Sequence, residues 1–205
     1  MYKLVLASQS PRRRDLLMRA GYEIRVQSVK VSEIIEQNLN PTEAVSHLAT
    51  KKAQAAFDQY NYLNLKDFLV IGADTLVAFG DKILGKPESE AEAAQFLDLL
   101  SGQTHQVLTG FCIIEGGTGR KVVEVEQTLV QFKKLSPHEI KAYIKTGEPM
   151  DKAGAYGIQG LGGEFVESYR GSWTNVVGLP MEKFESVLKR EGWDVHSRPA
   201  SSRSE

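Results

Sequence analysis

The residues that could do chemistry begin at Ser8-Gln9-Ser10-Pro11-Arg12-Arg13-Arg14, directly after the apolar run Leu4-Val5-Leu6-Ala7. Ser10 stands where a helix N-cap would, and Pro11 takes the first helical position, where a missing N–H costs nothing. Arginines just behind that cap lie at the positive end of the helix dipole, where each cation is disfavoured by about 0.3–1 kcal/mol. Local stability does not ask for them there, but an anion does. Backbone N–H groups, the hydroxyls of Ser8 and Ser10 and the guanidinium forks together make a phosphate cradle. Arg14 lies about 100° round the helix from Arg13, so the cradle rests on Arg12 and Arg13.

Further charges stand where the pattern predicts burial or a stiff turn. Asp74 interrupts Phe68–Phe79, the most apolar run of the chain, so it must be neutralised by a proton, a cation or a basic partner, or spent on backbone N–H groups. Lys52 falls in a helical apolar stripe, while Lys51 points about 100° away; a lysine so placed either snorkels to the rim or meets an anion. Lys86 sits in a Gly-Lys-Pro corner that would hold it toward a phosphate. Gly80 to Lys86 has Walker A spacing, but Pro87 replaces the Ser or Thr that would hold magnesium, so the match is accidental. Glu33 and Glu36 lie in a loop, either solvated or bringing in a cation. Gly154 to Gly163 holds five glycines in ten residues. Either its backbone approaches a flat ligand, with Tyr156 stacking on a base and Gln159 hydrogen-bonding it, or it is a structural turn.

The elements that position these groups follow from spacing. Leu4–Ala7 reads as a buried strand, Leu16, Leu17 and Ala20 continue a short helix ended by Gly21, and Tyr22–Gln27 alternates as a second strand. Asn40-Pro41-Thr42-Glu43 opens a helix with a capping box and the inward stripe Val45, Leu48, Ala49, Ala53, Ala56 and Phe57. A central strand covers Phe68–Phe79, and Gly80-Asp81 turns it into a hairpin. Ser89 and Glu92 cap a helix with Ala93, Phe96, Leu97 and Leu100 inward. Strands from Gln106 to Ile114 and onward to Lys134 make the sheet mixed. Helices open at Ser136 and Pro180. His105 has no second ligand at metal spacing and reads as a hydrogen-bonding group, while Cys112 reads as buried and inert.

The 25 basic and 26 acidic residues leave a net charge of −1, so no global field draws the protein to nucleic acid or an anionic membrane. No apolar run approaches the ~20 residues of a membrane span and no signal h-region or lipidation motif stands out, which implies a cytoplasmic protein. No repeat or linker is visible, so residues 1–190 read as a single α/β domain with two lobes around a cleft, and residues 191–205 as a disordered tail.

Six motifs in order carry a resemblance: Ser8-Gln9-Ser10-Pro11-Arg12-Arg13, Gly72-Ala73-Asp74-Thr75, Leu84-Gly85-Lys86-Pro87, Ser101-Gly102 with His105 and Thr109-Gly110, Asp151 through Gly160, and Asn175 through Pro180. Together they resemble the Maf family of nucleoside triphosphate pyrophosphatases, with Tyr156-Gly157-Ile158-Gln159-Gly160 similar to its dTTP/UTP subgroup. The resemblance implies a central mixed sheet flanked by helices, inosine-triphosphatase-like, around a nucleotide-binding cleft, and a homodimer among its members. It implies hydrolysis of dTTP, UTP and related pyrimidine nucleotides to monophosphate and pyrophosphate, clearing non-standard nucleotides. The cofactor it implies is a divalent metal cation, Mg2+ first, with Mn2+ or Co2+ as alternatives.

By the same likeness Asp74 is the proton acceptor, assisted by Lys52 and Lys86. Ser8, Arg12, Arg13, Thr75 and Gln159 bind substrate, with Arg12, Thr75 and Gln159 as the specificity positions, and Glu33 and Asp74 hold the metal. Ser32 stands before Glu33 where the family often has Asp, and Trp173 where Tyr is common. A nucleotide-binding regulator of cell division acting through a protein partner is the alternative of another class, and a phosphosugar-binding protein is a third.

Overall fold

The computed structural model describes residues 1–35, 39–62 and 66–195. It is a mixed α/β fold whose sheet has seven strands in the order β2-β1-β3-β5-β6-β7, with β4 paired to β3. The strands are β1 (Lys3–Leu6), β2 (Ile24–Val26), β3 (Phe68–Phe79), β4 (Lys82–Leu84), β5 (Thr104–Glu115), β6 (Lys121–Phe132) and β7 (Val166–Arg170). β1 runs parallel to both β2 and β3, whereas β3–β4 and β6–β7 are antiparallel. The sheet is therefore mixed, as the alternation of strand and helix signals implied.

The chain divides into two compact units, one of residues 1–74, 110–125 and 178–205, the other of residues 75–109 and 126–177. In the first, β1, β3 and the part of β5 it holds are buried on both faces. Leu4, Leu6, Leu69, Ile71 and Phe111 meet α1 (Pro11–Arg19) and α6 (Met181–Glu191) through Leu17, Phe184 and Val187. Val5, Ala7, Phe68, Val70 and Cys112 meet α2 (Pro41–Tyr62) through Ala49, Ala53 and Ala56. The continuous apolar runs are the sequence mark of this double coverage. Asn40 and Glu43 form the reciprocal cap of α2, the Glu43 amide donating to Asn40 Oδ1 and the Asn40 amide to Glu43 Oε2, each at 2.9 Å. Burial raises the Cys112 thiol to about 11, so it is an inert core residue.

The stretch read as the start of a tail is instead packed. Trp193 and Val195 are buried, Tyr2 bridges Val195, and the Arg120 guanidinium lies 4.9 Å from the Trp193 ring. Two large apolar side chains in five residues carry enough burial to hold this segment, a signal masked by the Ser- and Arg-rich composition beyond it. Residues 196–205 lie outside the described residues.

The second unit has one core. α3 (Glu90–Leu100), α4 (Pro137–Ile144) and the short helix α5 (Trp173–Val177) accompany it, and Phe96, Leu97, Phe132, Ile140, Tyr156 and Phe165 fill it. Ser89 and Ser136 each accept from the amide three residues on, and Ser136 with Glu139 closes a full capping box. Among the described residues, no helix is long and apolar enough to cross a membrane.

Candidate active site

In the first unit the site is set by how closely α2 lies on the sheet. A Cβ at Gly72 of β3 would stand 2.3 Å from both the Ala49 carbonyl oxygen and the Ala53 nitrogen, and one at Gly110 of β5 would stand 2.8 Å from the Val45 carbonyl oxygen. The two glycines let the helix rest directly on strand backbone. Lys52, between Ala49 and Ala53 in register, thereby reaches the strand's one carboxylate. Its Nζ lies 2.5 Å from Asp74 Oδ1 and 2.6 Å from Glu33 Oε1. The Lys52 and Asp74 side chains are each 11% exposed, while Glu33 is about half exposed. Of the ways open to neutralise Asp74, the structure supplies the basic partner, and Lys52 meets carboxylates rather than snorkelling away from the cluster.

Arg13 joins the same cluster. It is buried at the start of α1, its Nε donates to the Gly178 carbonyl at 2.8 Å and its Nη1 to Ser8 Oγ at 3.1 Å. Burial lowers its pKa from the ordinary guanidinium value; the negative charges of Asp74 and Glu33 act against that shift, and Arg12 adds to it. Ser10 occupies the N-cap position with extended backbone, but its side chain makes no capping bond. Instead the Ser10 amide donates to Ser8 Oγ at 3.2 Å, so Ser8 organises the turn. Arg12 is half-buried beside Arg13, and Arg14 is exposed against Asp15, which leaves a two-arginine cradle. The structure thus brings Ser8, Arg13, Glu33, Lys52 and Asp74 together, with Arg12 next to Arg13 on α1. Glu36 lies outside the described residues.

The cluster fits a hard divalent cation. Two carboxylates converge on one positive group, and oxygen donors of this kind suit Mg2+, which is usually held by one or two carboxylates with substrate phosphates and water completing the shell. Among the described residues no three Asp, Glu, His or Cys side chains form a ready metal cage.

In the second unit Thr75, next along β3 from Asp74, contacts Thr109 through their hydroxyls at 2.9 Å. Thr109 Oγ1 in turn donates to the Asn175 carbonyl at 2.8 Å. The Asn175 amide nitrogen donates to the Val107 carbonyl and to Thr128 Oγ1, each at 2.9 Å. Thr109, Thr128 and Asn175 are completely buried, whereas Thr75 is half-exposed. Lys86 is exposed on its corner, where the Gly154 amide donates to the Gly85 carbonyl at 3.0 Å, and Gln159 is exposed.

Tyr156 does not offer a stacking face. It is buried, its hydroxyl is 2.8 Å from His105 Nε2, and its ring packs 4.7 Å from Phe132. His105 has the hydrogen-bonding role expected of it, and burial lowers its pKa to about 4. The glycine-rich segment is shaped from within the protein. Glu148 accepts from the Leu161 amide at 3.0 Å, the Gly162 amide at 3.2 Å and the Tyr143 hydroxyl at 2.9 Å. A Cβ at Gly160 would stand 2.3 Å from Glu148 Oε1. Of the alternatives that composition left open, the structural turn accounts for these glycines.

Two contributions escaped the sequence reading. Lys51 donates to the Ser32 carbonyl at 3.0 Å, so consecutive lysines hold the loop, one by its backbone and one through Glu33. Only its adjacency to Lys52 hinted at this. The buried Thr109–Asn175 link joins residues 66 apart, a pairing that no local pattern encodes.

A family model described as Maf-like protein matches residues 3–191. The chain is 46% identical over 187 residues to the dTTP/UTP pyrophosphatase of Bdellovibrio bacteriovorus, covering 91% of this chain and 97% of that one. It is 50% identical over 192 residues to the dTTP/UTP pyrophosphatase of Bacillus pumilus, covering 94% and 98% of the two chains. Among solved structures, the Ham1 protein of Staphylococcus aureus matches with a TM-score of 0.44 and 17% identity, over 63% of this chain and 71% of that chain. With the family model running through the cradle, the lysine helix and the strand aspartate alike, the chain belongs to the Maf-like protein family.

Proposed function

We propose that this chain hydrolyses nucleoside triphosphates, dTTP and UTP foremost, to the monophosphate and pyrophosphate. The observation that carries the reading is the shared Lys52 ammonium, 2.5 Å from buried Asp74 and 2.6 Å from Glu33, in one cluster with Arg13 and Ser8. The naming of relatives 46% and 50% identical as dTTP/UTP pyrophosphatases supports it.

In this mechanism Asp74 accepts a proton from the water that attacks the α-phosphorus. The bond between that phosphorus and the oxygen bridging to the β-phosphate breaks, and pyrophosphate leaves with the bond's electrons. Arg12, Arg13 and Lys52 meet the charge that builds on the departing group, and Ser8 orients the cradle. Glu33 and Asp74 would hold the divalent cation, which when bound supplies further charge to the phosphate oxygens. Thr75 and Gln159 choose the nucleotide. No side-chain nucleophile is needed.

The test is a panel of nucleoside triphosphates with Mg2+, read as phosphate with and without added inorganic pyrophosphatase. Pyrophosphate should appear once per turnover, with dTTP and UTP preferred. Asp74→Asn should lower kcat by 100-fold or more, roughly the contribution of a positioned general base, while nucleotide binding stays measurable. Full activity in that variant would refute the role of Asp74, and binding without turnover in the unsubstituted protein would refute the enzyme.

A further inference from the structure

We propose that Glu148 is a positioning residue for the nucleotide: with Tyr143 it clamps both ends of the tight turn that presents Gln159, and so sets how well the base is bound. The inference rests on the reading above, in which Gln159 chooses the nucleotide.

Gln159 stands at the tip of a four-residue turn. The Gly160 amide donates to the Gly157 carbonyl at 3.2 Å, which makes Ile158 and Gln159 the two central residues. Ile158 is buried and Gln159 is exposed, so one central side chain anchors the turn and the other is offered to solvent. What aims an exposed side chain is the backbone beneath it.

That backbone is held on both sides. After Gln159, Glu148 spans two successive amides, its Oε2 accepting from Leu161 at 3.0 Å and its Oε1 from Gly162 at 3.2 Å. Oε1 also accepts from the Tyr143 hydroxyl at 2.9 Å. A carboxylate only accepts, so the single Tyr143 proton is spent there and the phenol oxygen is left to accept. The amide it meets is that of Gly157, before Gln159. A Cβ at Gly162 would stand 2.6 Å from the Tyr143 hydroxyl and 3.0 Å from the Gly157 nitrogen. Burial and Glu148 raise the Tyr143 pKa, and the hydrogen bond from the Gly157 amide acts against that rise. Carboxylate and phenol thus close one clamp round Gly157 to Gly162, with Gln159 inside the span.

The clamp is more than a turn needs. One carbonyl–amide bond closes such a turn, yet a half-buried carboxylate is committed to this one as well. Burial alone would raise the Glu148 pKa, but the Leu161 and Gly162 amides, the Tyr143 hydroxyl and the Lys152 ammonium hold it below the ordinary carboxylate value. Lys152 Nζ also donates to the Glu148 main-chain carbonyl at 2.9 Å. The extra order gives Gln159 a fixed base. A ligand that binds a loose turn must meet the entropy of ordering it, and one that binds a fixed turn need not.

Glu148→Gln keeps the shape but offers one acceptor oxygen in place of two, so it cannot serve both amides. The experiment measures KM and kcat for UTP, by pyrophosphate release, in the unsubstituted protein, Glu148→Gln, Gln159→Ala and the double variant. Glu148→Gln should raise KM about tenfold, the scale of ordering one residue's backbone, with kcat changed by less than about twofold. On the Gln159→Ala background the same substitution should change KM by less than about twofold, because no side chain is left to aim. A purely structural role would give the same rise on both backgrounds and would overturn the proposal, as would an unchanged KM in Glu148→Gln. Should Glu148→Gln not fold, Tyr143→Phe keeps the ring in the core and removes the hydroxyl that joins the two sides. It should raise KM about threefold with Gln159 present and leave it unchanged without it, and equal effects on both backgrounds would again overturn the proposal. A Gln159→Ala variant with unchanged KM would overturn instead the placing of Gln159 at the nucleotide, and absence of pyrophosphate from every nucleotide would overturn the enzyme.

Discussion

Replacing Lys52 with methionine tests the charge cluster most directly. Methionine keeps the length and apolar stem but removes the ammonium, leaving Asp74 without the partner at 2.5 Å. Breaking a buried ion pair from one side costs about 3–5 kcal/mol, because the remaining charge is stranded in a poorly solvated place. With both side chains 11% exposed, most of that range applies to Asp74. Glu33, at 49% side-chain exposure, keeps its water and adds no more than about 1 kcal/mol. For a chain of this size the sum corresponds to a fall in Tm of roughly 6–24 °C. Adding Asp74→Asn to Lys52→Met should recover about half of the loss or more. Mg2+ should raise the Tm of the methionine variant more than that of the unsubstituted protein, since the two carboxylates then lack the ammonium that Lys52 set between them. Urea and thermal denaturation measure each arm. A loss under about 1 kcal/mol, or a double variant no more stable than the single one, would refute the claim that Asp74 is held by Lys52.

Two further outcomes follow from packing and from burial. Gly72→Ala sets a methyl group 2.3 Å from the Ala49 carbonyl and the Ala53 nitrogen, so α2 must lift; the cost should be about 1–3 kcal/mol with a marked loss of turnover, read by urea titration and pyrophosphate release. His105 is buried and neutral, with its pKa lowered to about 4 against 6.5. Between those values the unfolded chain binds the extra proton, so the His105 contribution is fully present above pH 6.5 and is lost as pH falls toward 4. It amounts to at most about 3 kcal/mol, and His105→Phe should flatten the stability–pH slope in that window.

Much of the fold was legible because its elements are locally consistent. The runs Leu4–Ala7 and Phe68–Phe79, the Asn40–Glu43 and Ser136–Glu139 caps and the Lys52 stripe each state their own geometry in adjacent residues. Asp74 and Lys52 were legible for the opposite reason, as charges that break an apolar pattern. Composition could not decide between a ligand and an internal partner. Five clustered glycines suggested a base pocket, yet Glu148 and Tyr143 occupy the space opened at Gly160 and Gly162, and Val77, Lys152 and Ile158 that at the other three. Tyr156, apparently placed to stack, points into the core against His105. Residues 191–195 were misread as tail because two apolar residues, Trp193 and Val195, are too few to make a periodic signal.

The discontinuity of the first unit bears on how the protein is made. A ribosome delivers residues 1–74 early, but Phe184 and Val187, which cover one face of β1 and β3, lie more than a hundred residues downstream. The carbonyl that receives Arg13 Nε belongs to Gly178, 165 residues after it. At about 5–20 residues per second this is a wait of roughly ten to thirty seconds. Throughout it, the nascent chain carries a half-covered apolar sheet and a guanidinium with no Gly178 acceptor. All of the second unit emerges before α6 does. The first unit is therefore where chaperone occupancy during synthesis should concentrate, and Arg13 can take its final place only after nearly the whole chain exists.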